Sequence, residues 1–245
     1  MKHDFTAMVL AAGLGTRLGT LTHDKPKALV ELNGKPLLQH CIENLIDNSF
    51  NHIVINVYHF GQQIIDFVGN NHFDAEIQFS DERNQLLDTG GGIVKATPLF
   101  KNSNAVLVHN VDIISDVNLS EFGQQFIESK DDAWLLTQDR KTNRKLLFDT
   151  DNQLIGWMNK TEEQFKWVDG SYDWFKEMAF SGMHFFRSDL FAEFEVKPQS
   201  IIDLYLKLAK LNRIVSKPIT PIFWFDLGKP EQLLNAENYL KEHAK

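Results

Sequence analysis

Two hydrophobic periods alternate along the first half of the chain. Continuous apolar, β-branched runs such as TAMVLAA from Thr6 and HIVINVY from His52 predict buried strands. PLLQHCIENLIDNS from Pro36 and GQQIIDFVGN carry apolar residues at helical spacing. Further strands are predicted at AEIQFS, NAVLVHNVDI and DAWLLTQ, with a helix at SEFGQQFIES capped by Ser120. Strict alternation of strand and helix predicts parallel pairing through right-handed crossovers, and so a doubly wound, mostly parallel α/β sheet.

The rhythm changes after Arg140. Two strands are predicted around the turn at residues 149–152, followed by a polar and aromatic stretch without clear period over residues 159–176. EMAFSGMHFFR predicts another strand, and helices are expected near Leu190, from Ile201 to Leu211 and from Pro230. Because no repeat or linker interrupts the chain, we predict one domain over residues 1–245. Its first part runs to about residue 138, and its second, from about 139, adds a small β-rich arm.

Composition narrows the function classes. A length of 245 residues with 43% hydrophobic content suffices for a sizeable core. The net charge of −8 argues against nucleic acid as a partner, since phosphate backbones require a surplus of Lys and Arg. The single cysteine, Cys41, excludes an internal disulfide and lies in a helical pattern typical of a buried, inert thiol. No secretory or membrane-spanning segment is evident, so we expect a cytoplasmic protein.

The most informative segment is the Gly-rich loop after the first strand, within LAAGLGTRLGTLTHDKPKALV. Its glycines allow backbone N–H groups to approach a polyphosphate, and the Arg17 guanidinium suits bidentate phosphate contact. A P-loop is excluded because GxxxxGK followed by Ser or Thr is absent. Three interpretations remain on the residues alone: a polyphosphate loop, a structural surface turn, or a dinucleotide loop whose last glycine, Gly19, is one position late.

The string LAAGLGTRL…DKPKALVELNGKPLL, over residues 10–38, resembles the signature of the sugar nucleotidyltransferase family. Thr20 and Ala28 stand where that signature usually has proline, at positions that stiffen the loop. The resemblance implies a Rossmann-like, GT-A-like fold. It also implies that Arg17 holds the outgoing pyrophosphate and that Lys27 contacts the α-phosphate or the sugar's phosphate. Nucleotide contacts are implied at Leu10, Ala11, Ala12, Gly13, Gly15 and Thr16.

A second glycine cluster, DTGGG from Asp88, opens a predicted helix at Ile93. On its own it is either a capped turn or a binding site. The family resemblance implies that the backbone at Thr89 and Gly90 lies beside the nucleobase, and that Glu82 contacts the base edge. For Glu82, a solvated loop position in SDERN is an equal alternative.

Two aspartates follow apolar strands. Asp112 ends the fourth strand in NVD, and Asp226 lies in FDLG; both match the family's motifs, although Val111 replaces the usual glycine. Mg²⁺ takes one or two carboxylates together with phosphate oxygens, so the pair is expected to hold Mg²⁺. As an isolated residue, Asp226 is equally an N-cap of the following helix. His109, beside the fourth strand's end, is expected to be a core histidine.

The sugar side is implied by weaker matches. FSG, ending at Gly182, resembles a family strand whose glycine lets the sugar approach the backbone. Asn110, Lys160 and Glu177 are further candidates for sugar contacts, with surface roles open for Lys160 and Glu177. The tryptophans near the arm are open to core or sugar-stacking roles.

The resemblance implies an enzyme that transfers a nucleoside monophosphate from a nucleoside triphosphate to a sugar-1-phosphate and releases pyrophosphate. LDTGGGIVKATPL and the FSG strand are similar to the N-acetylmuramate-1-phosphate uridylyltransferases of cell-wall recycling, which favours UTP. Mannose- or heptose-1-phosphate guanylyltransferase is the alternative, because a carboxylate at Glu82 suits guanine's two donors. A catalytically inactive regulatory module is a third possibility. An NAD-dependent oxidoreductase is disfavoured, since the expected acidic residue after the loop is missing.

Overall fold

The computed structural model describes residues 3–100 and 103–243 and has a mixed α/β fold. The strands are β1 His3–Leu10, β2 Glu31–Leu32, β3 Lys35–Pro36, β4 His52–Val57, β5 Glu76–Asp81, β6 Ser103–Asn110, β7 Ile113–Ser115, β8 Ala133–Gln138, β9 Arg144–Phe148, β10 Leu154–Asn159, β11 Gln164–Trp167, β12 Lys176–Arg187, β13 Ile214–Pro218 and β14 Trp224–Asp226. The helices are α1 Leu37–Asp47, α2 Gly61–Gly69, α3 Asp88–Ala96, α4 Leu119–Glu128, α5 Ile201–Leu208 and α6 Pro230–Glu242. Short 3-10 turns cover Thr16–Thr22, Lys27–Leu29 and Thr97–Phe100.

Two compact units interleave along the chain. The loop unit comprises the described residues of 6–86, 109–120 and 221–245, and the arm unit those of 1–5, 87–108 and 121–220. The chain passes from one unit to the other after residues 5, 86, 108, 120 and 220. None of these boundaries coincides with the predicted division near residue 138. The single-domain organisation stays a prediction.

In the loop unit, β1, β4 and β5 pair in parallel, with Ala7 opposite Ile53 and Ile53 opposite Ile77. All six residues of β4 are buried, as expected for a β-branched strand between two parallel neighbours. Two short antiparallel pairs, β7 with β14 and β2 with β3, also lie in this unit.

In the arm unit, β13 pairs in parallel with β8, and β12 pairs antiparallel with both β8 and β9. Strands β9, β10 and β11 form an antiparallel set, which is the predicted β-rich arm. Their apolar side chains Leu147, Ile155 and Met158 form a small core covered by Trp167, Tyr172 and Phe175. The predicted α/β class with a central, mostly parallel sheet is confirmed.

Several predicted boundaries were wrong. Helix α4 begins at Leu119, so Ser120 lies in its first turn and its N–H donates to Asn48 Oδ1 at 3.2 Å. Helix α3 begins at Asp88 instead of Ile93, which places all three glycines inside the helix. The aperiodic stretch after residue 159 contains β11, a strand of only four residues whose side chains are exposed or half-buried. The helix predicted near Leu190 is a series of turns.

Candidate active site

The Gly-rich loop leaves β1 with an exposed polar tip and a buried apolar anchor. Gly13, Thr16 and Arg17 are exposed, and a side chain added at Gly13 would meet no atom within 4 Å. Leu18, 2% exposed, packs with Val30, Leu32, Leu37, Leu227, Leu233 and Ala236 in one apolar cluster. The loop is therefore held by its apolar residue, and its glycine and arginine remain accessible to a ligand.

Gly15 brings the loop against the segment that carries Lys27. Its φ of +65° lies in the left-handed region, and a Cβ there would come within 2.9 Å of both Lys27 Cβ and Thr22 Cγ2. Thr22 Oγ1 donates to Gly15 O at 3.1 Å and fixes this return of the chain. Glycine at position 15 is required both by the backbone conformation and by the approach of Lys27.

Lys27 forms a buried ion pair with Asp112. Its Nζ donates to Asp112 Oδ2, and each residue is only 9% exposed. Removing either charge would leave the other desolvated and unpaired, which costs several kcal/mol. The pair thus orients an ammonium and a carboxylate beside the glycine loop.

The two predicted metal aspartates are held close by backbone pairing, with Asp226 at the end of β14 and Asp112 in the turn just before its neighbour β7. Asp226, the last residue of β14, is the register partner of Ile113 in β7, and Leu227 N donates to Asp112 O at 2.8 Å. Val111 N donates in turn to Leu10 O at 3.3 Å, so the end of β6 lies beside the start of the loop. These backbone contacts bring Asp112 and Asp226 to one place.

Gly228 marks the meeting point of Asp226 and Arg17. A Cβ at this position would lie 2.8 Å from Arg17 Nη2 and 2.9 Å from Asp226 Oδ1. Asp226 Oδ1 accepts from Gly228 N at 3.0 Å, a local turn contact that orients the carboxylate. Arg17, Lys27, Asp112 and Asp226, which the sequence singled out separately, therefore converge within the loop unit.

The donor set fits a magnesium ion better than a closed metal centre. Over residues 3–100 and 103–243, no three or more His, Cys, Asp or Glu side chains are grouped to hold a metal. Zinc usually takes three or four protein ligands, whereas Mg²⁺ is held by one or two carboxylates and completes its shell with phosphate oxygens and water. Two neighbouring aspartates suit Mg²⁺ bound together with a substrate phosphate.

Beneath the loop, the first two amides after β1 are already hydrogen-bonded. Ala11 N and Ala12 N donate to Asn56 Oδ1 at 2.7 and 3.3 Å, and Asn56 Nδ2 donates to Glu82 Oε1 at 2.7 Å. Asn56 is 2% exposed and Glu82 is fully buried, so the alternative of a solvated loop position for Glu82 is wrong. The predicted contacts of Ala11, Ala12 and Glu82 with a nucleotide stay predictions. Sequence reasoning missed Asn56, whose only signal is an amide in a β-branched strand.

The second glycine cluster packs against α5 within the arm unit. Gly90 N and Gly91 N donate to Gln199 O at 2.9 and 3.1 Å, and Thr89 Oγ1 accepts from Ile201 N at 3.1 Å. A Cβ on Gly91 would lie 2.1 Å from Lys197 O. Close packing of backbone on backbone accounts for these glycines, and the base contacts at Thr89 and Gly90 stay predictions.

Of the predicted sugar-side residues, Lys160 and Glu177 are brought together. Lys160 Nζ lies 2.6 Å from Glu177 Oε2, with both side chains partly exposed. Gly182 is buried with a φ of +83°, where the β12–β8 register shifts between Phe180 and His184. Asn110 is half-buried at the end of β6. Their contacts with a sugar stay predictions.

His109 and Cys41 lie in the core near the loop unit's sheet, as expected from the sequence. Burial lowers the pKa of His109 to about 4, so its ring is neutral near pH 7. Cys41 Sγ lies 3.4 Å from His109 Nδ1, and burial raises the pKa of the thiol well above its usual value. Neither group is poised to act as a metal ligand or nucleophile.

Comparison with known proteins decides the family. The model of the family described as nucleotidyl transferase matches residues 6–243. The chain belongs to this family. It is 32% identical over 251 residues to an N-acetylmuramate alpha-1-phosphate uridylyltransferase from Caulobacter vibrioides, covering 96% of this chain and 97% of that protein.

A second relative and a solved structure, both of lower identity, are also similar to this chain. A mannose-1-phosphate guanylyltransferase catalytic subunit beta from Drosophila melanogaster is 26% identical over 93% of this chain, which spans 60% of that protein. The structure of HddC from Yersinia pseudotuberculosis, complexed with GMP-PN, aligns with a TM-score of 0.76 at 22% identity, covering 98% of this chain and all of that one. The latter likeness supports the fold.

This nucleotidyltransferase is thus an enzyme of the sugar-1-phosphate nucleotidyltransferase type, as the loop signature predicted. None of the helices in the described part of the chain is long and apolar enough to cross a membrane.

Proposed function

We propose that this nucleotidyltransferase transfers a uridylyl group from UTP to N-acetylmuramate 1-phosphate and so acts in cell-wall recycling in the cytoplasm. The substrate choice is supported by the Caulobacter relative, which matches over nearly the full length of both chains. The observation that carries the chemistry is the convergence of Arg17, the Lys27–Asp112 pair and Asp226 beside an open glycine loop.

The reaction is an in-line displacement. An oxygen of the sugar phosphate forms a bond to the α-phosphorus of UTP, and the bond from that phosphorus to the bridging oxygen of the β-phosphate breaks. Pyrophosphate leaves with the electron pair. No general base is needed, because the attacking phosphate is already ionised near neutral pH. Catalysis therefore comes from positioning and charge neutralisation.

The two cations divide this work. Arg17, exposed at the loop tip, binds the β- and γ-phosphates that become pyrophosphate, with a guanidinium suited to bidentate contact. Lys27 contacts the α-phosphate, where negative charge spreads in the transition state. Gly13, Gly15 and Thr16 border the polyphosphate, and Leu10 lies where β1 enters the loop.

Asp112 and Asp226 would hold Mg²⁺. When bound, the ion would neutralise phosphate charge and orient the triphosphate for attack. The Lys27–Asp112 pair orients the Asp112 carboxylate, and the Gly228 N–H orients the carboxylate of Asp226. In the arm unit, the Lys160–Glu177 pair supplies a cation and an acceptor for a phosphate and a hydroxyl of the sugar, with Gly182 as a further contact. Asn110, in the loop unit, is a separate candidate for a sugar contact.

A guanylyltransferase acting on mannose or heptose 1-phosphate is the second candidate. It is favoured by the Drosophila relative, which is named for mannose-1-phosphate guanylyltransferase. The separate argument from Glu82 as an acceptor for guanine adds little, because Glu82 is fully buried and its Oε1 accepts from Asn56.

The experiment is a matrix of four nucleoside triphosphates against several sugar-1-phosphates, with Mg²⁺, followed by pyrophosphate release. The highest kcat/KM is expected with UTP and N-acetylmuramate 1-phosphate. A maximum with GTP and mannose or heptose 1-phosphate would select the second candidate. Triphosphate binding without pyrophosphate release from any pair would replace both with the regulatory module.

A further inference from the structure

We propose that Asn56 and Glu82 are positioning residues that orient the start of the nucleotide loop. In this arrangement the loop offers amide donors to phosphate only from Gly13 onward. The inference rests on the proposed function, because it concerns how the loop presents itself to a triphosphate. In this proposal Asn56 holds the loop backbone. Glu82 holds the Asn56 side chain in place and does not contact the base.

The orientation of the Asn56 amide is determined by its neighbours. Ala11 N and Ala12 N can only donate, and both contact the Asn56 oxygen. This places the Asn56 amide nitrogen toward Glu82, where it donates to Oε1. The asparagine amide has an acceptor oxygen at one end and a donor nitrogen at the other. Exchanging the two atoms would place the nitrogen against two backbone donors, so only the observed orientation fits.

The pair is buried and anchored from behind. Asn56 is 2% exposed and Glu82 is fully buried, so neither is placed to contact a ligand directly in this conformation. Glu82 N donates to Val57 O at 2.8 Å, and Gln85 N donates to Glu82 O at 2.9 Å, which ties the residue to the end of β4 and the following turn. Buried hydrogen-bond chains of this kind fix geometry because each unmade bond is costly.

The backbone N–H groups of the loop therefore fall into two sets. Those before Gly13 donate to Asn56, and those from Gly13 onward are placed to donate to a ligand. Ala11 and Ala12 are 3% and 7% exposed, and their N–H groups are taken by Asn56. Gly13 follows directly, is exposed, and has no atom within 4 Å of an added Cβ. Asn56 therefore sets the direction in which the chain enters the phosphate-binding segment.

The test exchanges the donor and acceptor of the pair. Asn56→Asp places two carboxylates against each other and removes the donor to Glu82. The double variant Asn56→Asp/Glu82→Gln restores one donor and one acceptor. Like the wild type, it has one buried carboxylate in the pair. Measurements at mildly alkaline pH disfavour a proton shared between the carboxylates. We expect Asn56→Asp to raise the KM for UTP and weaken the binding of a non-hydrolysable triphosphate by about tenfold or more, and the double variant to return both to within about threefold of wild type.

Two comparisons separate positioning from other roles. Thr6→Val removes the 2.7 Å contact between Thr6 Oγ1 and His52 Nδ1, which joins the same two strands at their other end, and should lower the free energy of unfolding without changing the KM. Because the loop binds phosphates common to all triphosphates, Asn56→Asp should weaken UTP, GTP and CTP alike. A changed ranking among the three in Glu82→Gln would overturn the proposal in favour of base recognition.

A failure of the double variant to recover affinity would also overturn the proposal, as would a KM in Thr6→Val that rises in step with lost stability. Affinity for the non-hydrolysable triphosphate is measured independently of turnover. If wild type binds it yet releases no pyrophosphate, the proposed function fails while the Asn56–Glu82 inference is still decided by the binding constants.

Discussion

The chain has two glycine-rich segments that look alike in sequence and work in opposite ways. In the loop after β1, Gly13 and Gly19 have no atom within 4 Å of an added Cβ. In α3, an added Cβ would lie 2.8 Å from Gln199 O at Gly90 and 2.1 Å from Lys197 O at Gly91. Gly13 and Gly19 of the first segment leave space for a ligand, whereas Gly90 and Gly91 of the second let two backbones touch.

Buried polar side chains near the loop are paired with each other, whereas a buried histidine of the arm unit has no hydrogen-bond partner among the described residues. Near the loop, Lys27 is paired with Asp112, and Asn56 with Glu82. In the arm unit, His184 is 1% exposed, and neither of its ring nitrogens has a hydrogen-bond partner among the residues described. Charge is buried and paired in the region assigned to catalysis, whereas His184 is buried as a neutral ring among aromatic neighbours.

The largest effect is expected at the aspartates of the loop unit. Asp226→Asn and Asp112→Asn should each lower kcat by about 1,000-fold, equivalent to ~4 kcal/mol in the barrier, because each removes a charge expected to hold Mg²⁺. Steady-state pyrophosphate release at saturating Mg²⁺ measures this. Asp116→Asn is the control, since Asp116 is exposed and only accepts from Ile222 N and Phe223 N. Near-wild-type turnover in Asp226→Asn would remove Asp226 from the metal site.

Alanine substitutions in the two glycine clusters should lower the free energy of unfolding by different amounts. Gly91→Ala forces a methyl group onto the Lys197 carbonyl and should lower the free energy of unfolding by about 3 kcal/mol. Gly13→Ala should change it by less than ~0.5 kcal/mol, because the methyl meets open space. Urea unfolding of both variants provides the comparison. Equal losses of stability would show that the two clusters do not differ in the way described.

A smaller effect is expected from His184 on acidification. Burial lowers its pKa from 6.5 to about 3, so the unfolded chain binds a proton that the folded protein does not between those values. Its contribution to stability is present above pH 6.5 and is lost as the pH falls, by about 1.5 kcal/mol between pH 6.5 and 5. His184→Phe should reduce this slope in urea unfolding, and His72→Gln, at an exposed site, should not. An unchanged slope in His184→Phe would contradict the assignment.

The local pattern of the chain predicted the fold and most of the loop. The β-branched runs became β1, β4 and β5. The resemblance to the family's motifs singled out Asp112 and Asp226, which the backbone pairing of β7 with β14 brings close together. A family signature is reliable here because phosphate chemistry constrains residue types along a short stretch.

What the sequence did not predict depends on contacts between distant segments. The pairing of Lys27 with Asp112 joins residues 85 positions apart, and Asn56 shares its side chain between the loop and Glu82. The helix at Asp88 starts five residues before its predicted beginning, because Gly90 and Gly91 are held by the Gln199 carbonyl. From the sequence alone, Gly90 and Gly91 indicate a turn, because the backbone segment that packs against them is more than 100 residues away.

Lys27→Ala decides whether the charged groups beside the loop act in the transition state. Interactions confined to the transition state raise kcat, whereas those made equally before reaction change only affinity. We expect Lys27→Ala to lower kcat by about 100-fold, equivalent to ~2.7 kcal/mol, with a smaller change in triphosphate affinity measured by equilibrium titration. Lys35→Ala, which removes a surface pair with Glu43, should leave both unchanged. A Lys27→Ala variant that loses affinity but keeps its kcat would contradict the claim.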